Sequence, residues 1–134
     1  MNNLMLQKLM KAAQAEDWEL VDKTIPKACK DQEIVEWAFE RGLENPNKNI
    51  RDLAASILEK AKIATDKFQG MREKLHRIMV HDKHPYARYR SAFALAAHGA
   101  GNYREDTIAT LKKAEKDEDV SSIASSYLKR IYSE

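Results

Sequence analysis

One helical register occurs three times in this chain, and no other feature restricts the fold as much. Ile50, Leu53, Ala54, Ile57 and Leu58 fall at the same offsets as Ala87, Arg90, Ser91, Ala94 and Leu95, and again as Val120, Ile123, Ala124, Tyr127 and Leu128. Leu58, Leu95 and Leu128 are 37 and 33 residues apart, enough for two helices and two turns per unit. The clearest copy is Asp82 to Leu95. Pro85 has a fixed φ and no N–H, which suits the first turn of a helix and predicts a start there. Ala92, Phe93 and Ala96 make the side opposite the stripe apolar or small as well. A helix apolar on two sides needs a neighbour on each flank, as the middle member of a stack has.

The run Asp-x-x-Pro-x-Ala-Arg from Asp82 to Arg88, followed by small residues and Ala94-Leu95, resembles the first helix of a HEAT repeat. It is similar to the HEAT-like repeats of bilin lyase relatives as well. Asn45-Pro46 with Ile50-Arg51, and Asp117, Asp119 and Val120, echo the same start, so the resemblance covers about residues 45 to 134. It implies an all-α fold, a right-handed α-solenoid of about three HEAT-like helix pairs plus one extra helix, as a single domain over residues 1–134. Tetratricopeptide and ankyrin spacings are absent, and three-helix armadillo units are the alternative.

The N-terminal region follows the same helical logic more loosely. A first helix is predicted from Leu4 to Ala15, capped by Asn3, and a second from Trp18, which Pro26 either ends or kinks. Asp31 should cap a helix from Gln32 to about Leu43, completing a degenerate first repeat. Further helices are expected at Lys48–Ala61, from near Asp66 through Phe68, Met71, Leu75, Ile78 and Met79, and from Arg104 to Lys116. Gly99, Gly101 and Asn102 should stop the central helix, and Asp119 should cap the last one.

With 134 residues, 43% of them hydrophobic, the chain suits one domain with a continuous core. Only 4 glycines and 3 prolines interrupt it, as a helical protein requires. Lys8 and Lys11 break the hydrophobics that follow Met1-Asn2-Asn3, so no signal peptide is expected, and no apolar run approaches the ~20 residues of a membrane span. One cysteine forms no internal disulfide. A cytoplasmic protein is the resulting expectation, with no membrane partner.

Few residues offer chemistry. His81-x-x-His84, with Asp82 between and His76 a turn earlier, has ligand-type side chains, but no second ligand pair has a matching spacing. No metal site is expected. Di-iron hydroxylases built from HEAT repeats use His-Glu pairs, and this chain contains no His-Glu dipeptide. Cys29 has no histidine anywhere near it in sequence and reads as a core or boundary residue. Without a Gly-rich phosphate loop or a nucleophile elbow, neither an enzyme nor a cofactor is expected. Arg51 and Arg88 take the same place in successive units, which in HEAT repeats braces one unit against the next. Arg90 stands where the sister helices have Leu53 and Ile123, so it either snorkels or pairs with an acid.

Charge is uneven although the net value is only +2. Residues 1–44 hold nine acidic against six basic side chains, and residues 71–90 hold six basic against two acidic. Glu33, Glu36 and Glu40 lie opposite the apolar stripe of their helix, as do Glu73 and Arg77 in theirs. In HEAT stacks the second helices line the concave face, so Glu33, Glu36, Glu40, Glu73, Arg77 and Lys113 are candidate binding residues. The expected function is a non-catalytic protein-binding scaffold with an unidentified protein partner. The alternative is nucleic-acid binding through Arg72, Lys74, Lys83, Arg88 and Arg90, as in HEAT-like DNA glycosylases. A third possibility, from the bilin lyase likeness, is assisting cofactor attachment. Ser121, Ser122, Ser125 and Ser126 replace Arg88, Tyr89, Ala92 and Phe93, making the outer side of the last helix polar; a monomer follows from that cap.

Overall fold

The computed structural model describes residues 3–134 and, among them, contains α-helices and no strands. Met1 and Asn2, the start of the expected leader-free opening, lie outside the described residues. The helices are α1 (Leu4–Gln14), α2 (Trp18–Ala28), α3 (Gln32–Glu40), α4 (Lys48–Lys60), α5 (Thr65–Gln69), α6 (Arg72–His81), α7 (Pro85–His98), α8 (Arg104–Ala114) and α9 (Ser121–Tyr132). None is long and apolar enough to cross a membrane.

Local chemistry places most of the boundaries. Asn3, Asp17, Asp31 and Asn47 each accept a backbone N–H in the first turn of the helix that follows, satisfying donors that have no partner within the helix. Pro26 does not end α2, which continues two residues further to Ala28. After α3 the chain tightens into a 3-10 turn, Gly42–Glu44, and not a longer helix. Gly42 is needed there: a Cβ would stand 2.7 Å from that of Ala54 and 3.0 Å from the Trp37 ring. The segment expected as one helix from Asp66 is two, α5 and α6, separated at Gly70 and Met71. Gly99, at φ 102°, stops α7 in a conformation that favours glycine. Asp119 does not cap α9, which begins after Val120 without a side-chain cap; its carboxylate accepts from the Tyr86 hydroxyl at 3.1 Å instead.

A turn recurs ahead of the three helices that share the register. Asn45 Oδ1 accepts from the N–H of Asn47, Asp82 Oδ1 from that of His84, and Asp117 Oδ1 from that of Asp119. Each is a side chain closing a turn on the backbone two residues on, so the sequence repeat is also a conformational one.

Packing centres on α4 and α7. These two lie against each other, α2 touches α4, and α9 packs on α7. α6 and α8 also contact α7, and α1 and α3 contact α4. Ser91 to Ala96 of α7 are all buried, as the two-sided apolar pattern predicts. The hydroxyl of Ser91 is satisfied within the helix by Ala87 O at 2.8 Å. Burying Phe93 and Leu95 stabilises the fold by about 1.5–3 kcal/mol each.

Between units, Arg51 of α4 makes a two-pronged ion pair with Asp82, Nε to Oδ2 at 2.7 Å and a terminal nitrogen to Oδ1 at 3.0 Å. It also donates to the carbonyls of Asn45 and Pro46 at 3.0 Å. One guanidinium therefore joins the turn before α4 to the turn before α7.

Candidate functional site

The residues singled out for charge are distributed over separate surfaces. Glu33, Glu36 and Glu40 are exposed together along α3, on the rim of a cleft floored by Leu6, Met10 and Trp37. Glu33 accepts from Asn3 Nδ2 at 2.8 Å, and Glu36 lies 3.8 Å from the Lys67 ammonium. Arg77 borders a different depression, with Leu43, Glu44, Lys74 and His81. Glu73 and Lys113 are exposed on α6 and α8.

Of the five basic residues, several are engaged inside the protein. Arg72 donates to Gly99 O at 2.8 Å and lies over the Phe68 ring, securing the end of α7. Lys74 donates to Phe39 O at 2.7 Å, pairs with Glu44 at 2.6 Å and sits 4.5 Å from the Phe39 ring centre. Lys83 is exposed. Arg88 is half-buried with no partner for its Nε, and Arg90 lies 3.5 Å from Asp52. Phosphate binding draws on cations free to release counterions, and the internal contacts of Arg72 and Lys74 take them out of such a set. His84 leads into α7, and among the described residues no group of three or more His, Cys, Asp and Glu is placed to hold a metal ion. Burial pushes the Cys29 thiol up to about 11, keeping it protonated and unreactive at neutral pH.

A site absent from the sequence reading lies where α2, α4, α7 and the start of α9 meet. A recess of about 260 Å³ is lined by Trp18, Val21 and Asp22 of α2, Asp52 and Ser56 of α4, Tyr86 and Arg90 of α7, and Asp119 and Val120. Asp52, Ser56 and Glu59 follow the i, i+4, i+7 spacing of one helix face, and all three are buried, as is Asn49 at the start of the helix. Asp52 is 7% exposed and Ser56 6%, and neither side chain has a hydrogen bond to the described protein. Asp52 Oδ1 stands 3.5 Å from Arg90 Nε, a charge contact without hydrogen-bond geometry.

Behind the recess, Glu59 Oε2 accepts from the Tyr127 hydroxyl at 2.6 Å, while Oε1 is buried without a partner. Tyr127 stacks on Phe93 with ring centres 5.6 Å apart. Burial, reinforced by Glu59, raises the Tyr127 phenol well above its usual value, so it stays a donor. Burial likewise raises the Asp52 carboxyl to about 6; the charge of Arg90 opposes this, while those of Asp22 and Glu59 add to it. The face is thus a line of polar groups on buried or half-buried residues, of which Glu59 Oε1 and Arg90 Nε are closed off without a partner while Asp52 and Ser56 line a recess open to solvent.

Sequence reasoning reached only Arg90 of this set. The available signal was the polar i, i+4, i+7 stripe of Asp52, Ser56 and Glu59, which in isolation is indistinguishable from an ordinary solvated helix face. Compared with protein-family models, curated proteins and solved structures, the chain has no match in any of the three.

Proposed function

We propose that this chain is a short right-handed HEAT-like α-solenoid of about three helix pairs with α1 ahead of them and α9 after them, acting as a non-catalytic protein-binding scaffold. Its binding surface is the groove across α2, α4, α7 and the start of α9. The repeated side-chain-closed turns at Asn45, Asp82 and Asp117 and the side-by-side packing of α4, α7 and α9 support the stacked-repeat reading. One observation carries the surface: Asp52 and Ser56 are buried in a recess without hydrogen-bond partners, next to Trp18 and Tyr86. Polar groups without protein partners in a recess open to solvent are satisfied by water until a partner supplies donors there. Aromatic side chains beside charged ones are what protein interfaces concentrate.

The test is a benzophenone amino acid placed at position 18 in the groove and, separately, at position 112 on exposed α8. Irradiation in an extract of the source cells should give a discrete adduct from position 18, identified as one protein by mass spectrometry. Equal adducts from position 112, or none from position 18, would contradict the proposal.

A further inference from the structure

We infer that the α2–α4–α7–α9 recess is a socket for a basic side chain of the partner protein. This deepens the protein-binding reading of the same groove and rests on it. The charge balance comes first. Asp22, Asp52 and Asp119 line the recess against Arg90, and beyond the lining Glu59 and Lys60 act on Asp52 with opposite charges. A space with three carboxylates and one guanidinium is complementary to a positive group.

Size and donor spacing then restrict which positive group fits. At about 260 Å³ the recess is smaller than the ~300–1,000 Å³ typical of sites for small organic ligands, and suits one side chain. Among the described residues no three of its carboxylates are placed to hold a metal ion together. Trp18 and Tyr86 add aromatic surface, against which an ammonium or guanidinium is attracted.

Beside the carboxylates, the hydroxyl of Ser56, on a residue only 6% exposed, has no hydrogen-bond partner in the described protein, and the Asp52 side chain is 10% exposed. The carboxylate of Asp52 and the hydroxyl of Ser56 line the recess without a hydrogen bond to the protein. An incoming guanidinium or ammonium supplies N–H donors to both. Arg90 does not fill this role, because its Nε lies 3.5 Å from Asp52 without hydrogen-bond geometry. The partner's side chain would join Asp22 and Asp52 across the gap between α2 and α4. Anchoring one side chain in a desolvated pocket is how a small fraction of an interface supplies most of its affinity.

The probe is N-acetyl-arginine amide, titrated into the full-length protein at low ionic strength and followed by ¹H–¹⁵N spectra. The Trp18 indole N–H and the Arg90 Nε–H should shift saturably, with a Kd on the order of millimolar for a single side chain. N-acetyl-citrulline amide, which keeps the shape without the charge, should bind at least about tenfold more weakly, a difference of about 1.4 kcal/mol. Asp22→Asn should weaken the arginine probe severalfold; that residue is exposed, so its replacement leaves the fold intact. Asp52→Asn provides the second variant and should weaken it further. Equal binding of the citrulline compound, tighter binding of N-acetyl-glutamate amide, or no saturable shift would overturn the socket. A protein adduct from position 18 with no response to the arginine probe would refute the socket and leave the binding surface standing. Arginine binding without any protein adduct would refute the binding surface and with it the partner protein as the source of the basic group, leaving only a recess that takes a guanidinium.

Discussion

Arg51 shows how much a single position conveys when it recurs. Its place after the first stripe residue marks it as a brace, and in the fold it spans two turns through Asp82 and two carbonyls. Burial alone would raise the Asp82 carboxyl, but hydrogen bonds from Arg51 and from the His84 N–H outweigh it and hold the group below the usual carboxylate range. A carboxylate held low contributes stability above its unfolded value, near 4, and loses that contribution as pH falls through the folded one. Arg51→Ala should therefore cost about 2 kcal/mol at neutral pH in chemical denaturation, with the difference shrinking below about pH 4. An unchanged midpoint at pH 7 would show that the pair is only a surface contact. Arg88 holds the equivalent position yet has an Nε without a partner, and two residues before it Tyr86 stands where α4 has Asn49. What differs is the following turn, where Tyr86 takes the carboxylate of Asp119.

At the scale of elements, the apolar periodicity that marks α7 as buried on two sides is matched by its burial from Ser91 to Ala96. Ala94→Glu should abolish the native fold or make the protein insoluble, because it places an unpaired carboxylate between packed helices. Ser122→Glu on exposed α9 should change stability by less than about 0.5 kcal/mol. Thermal melts of the two variants, run side by side, check both. Where the sequence reading departs from the fold, the departures are at ends. Gly70 and Met71 separate α5 from α6 although Phe68, Met71 and Leu75, all buried, continue one apolar spacing. Asp119 has the right residue type for a cap, but a tyrosine from another helix claims it. Both outcomes depend on tertiary partners that local propensity does not contain.

For the molecule as a whole, the groove is the feature least accessible from the sequence, since four helices contribute to it and Asp52 looks like a solvated position until its neighbours cover it. A stack of apolar units has no packing need for a buried Asp52, Ser56 and Glu59 on α4. On the proposed reading, this face is kept for binding at a cost in stability. The sign follows from the Asp52 carboxyl, raised to about 6 in the folded protein against 3.8 as its ordinary value. The folded state then binds a proton that the unfolded state releases, so stability falls as pH rises from about 4 to about 6 and stays reduced above. Removing the charge should relieve that penalty fully at neutral pH and not at all below about pH 4. The most direct measurement is equilibrium unfolding of Asp52→Asn beside the parent at pH 7 and pH 4. A gain of about 1–3 kcal/mol at pH 7 that vanishes at pH 4 is the predicted result. A loss of stability at pH 7 would mean that Asp52 is the structural counter-ion of Arg90, and the groove would have no claim to be a binding surface.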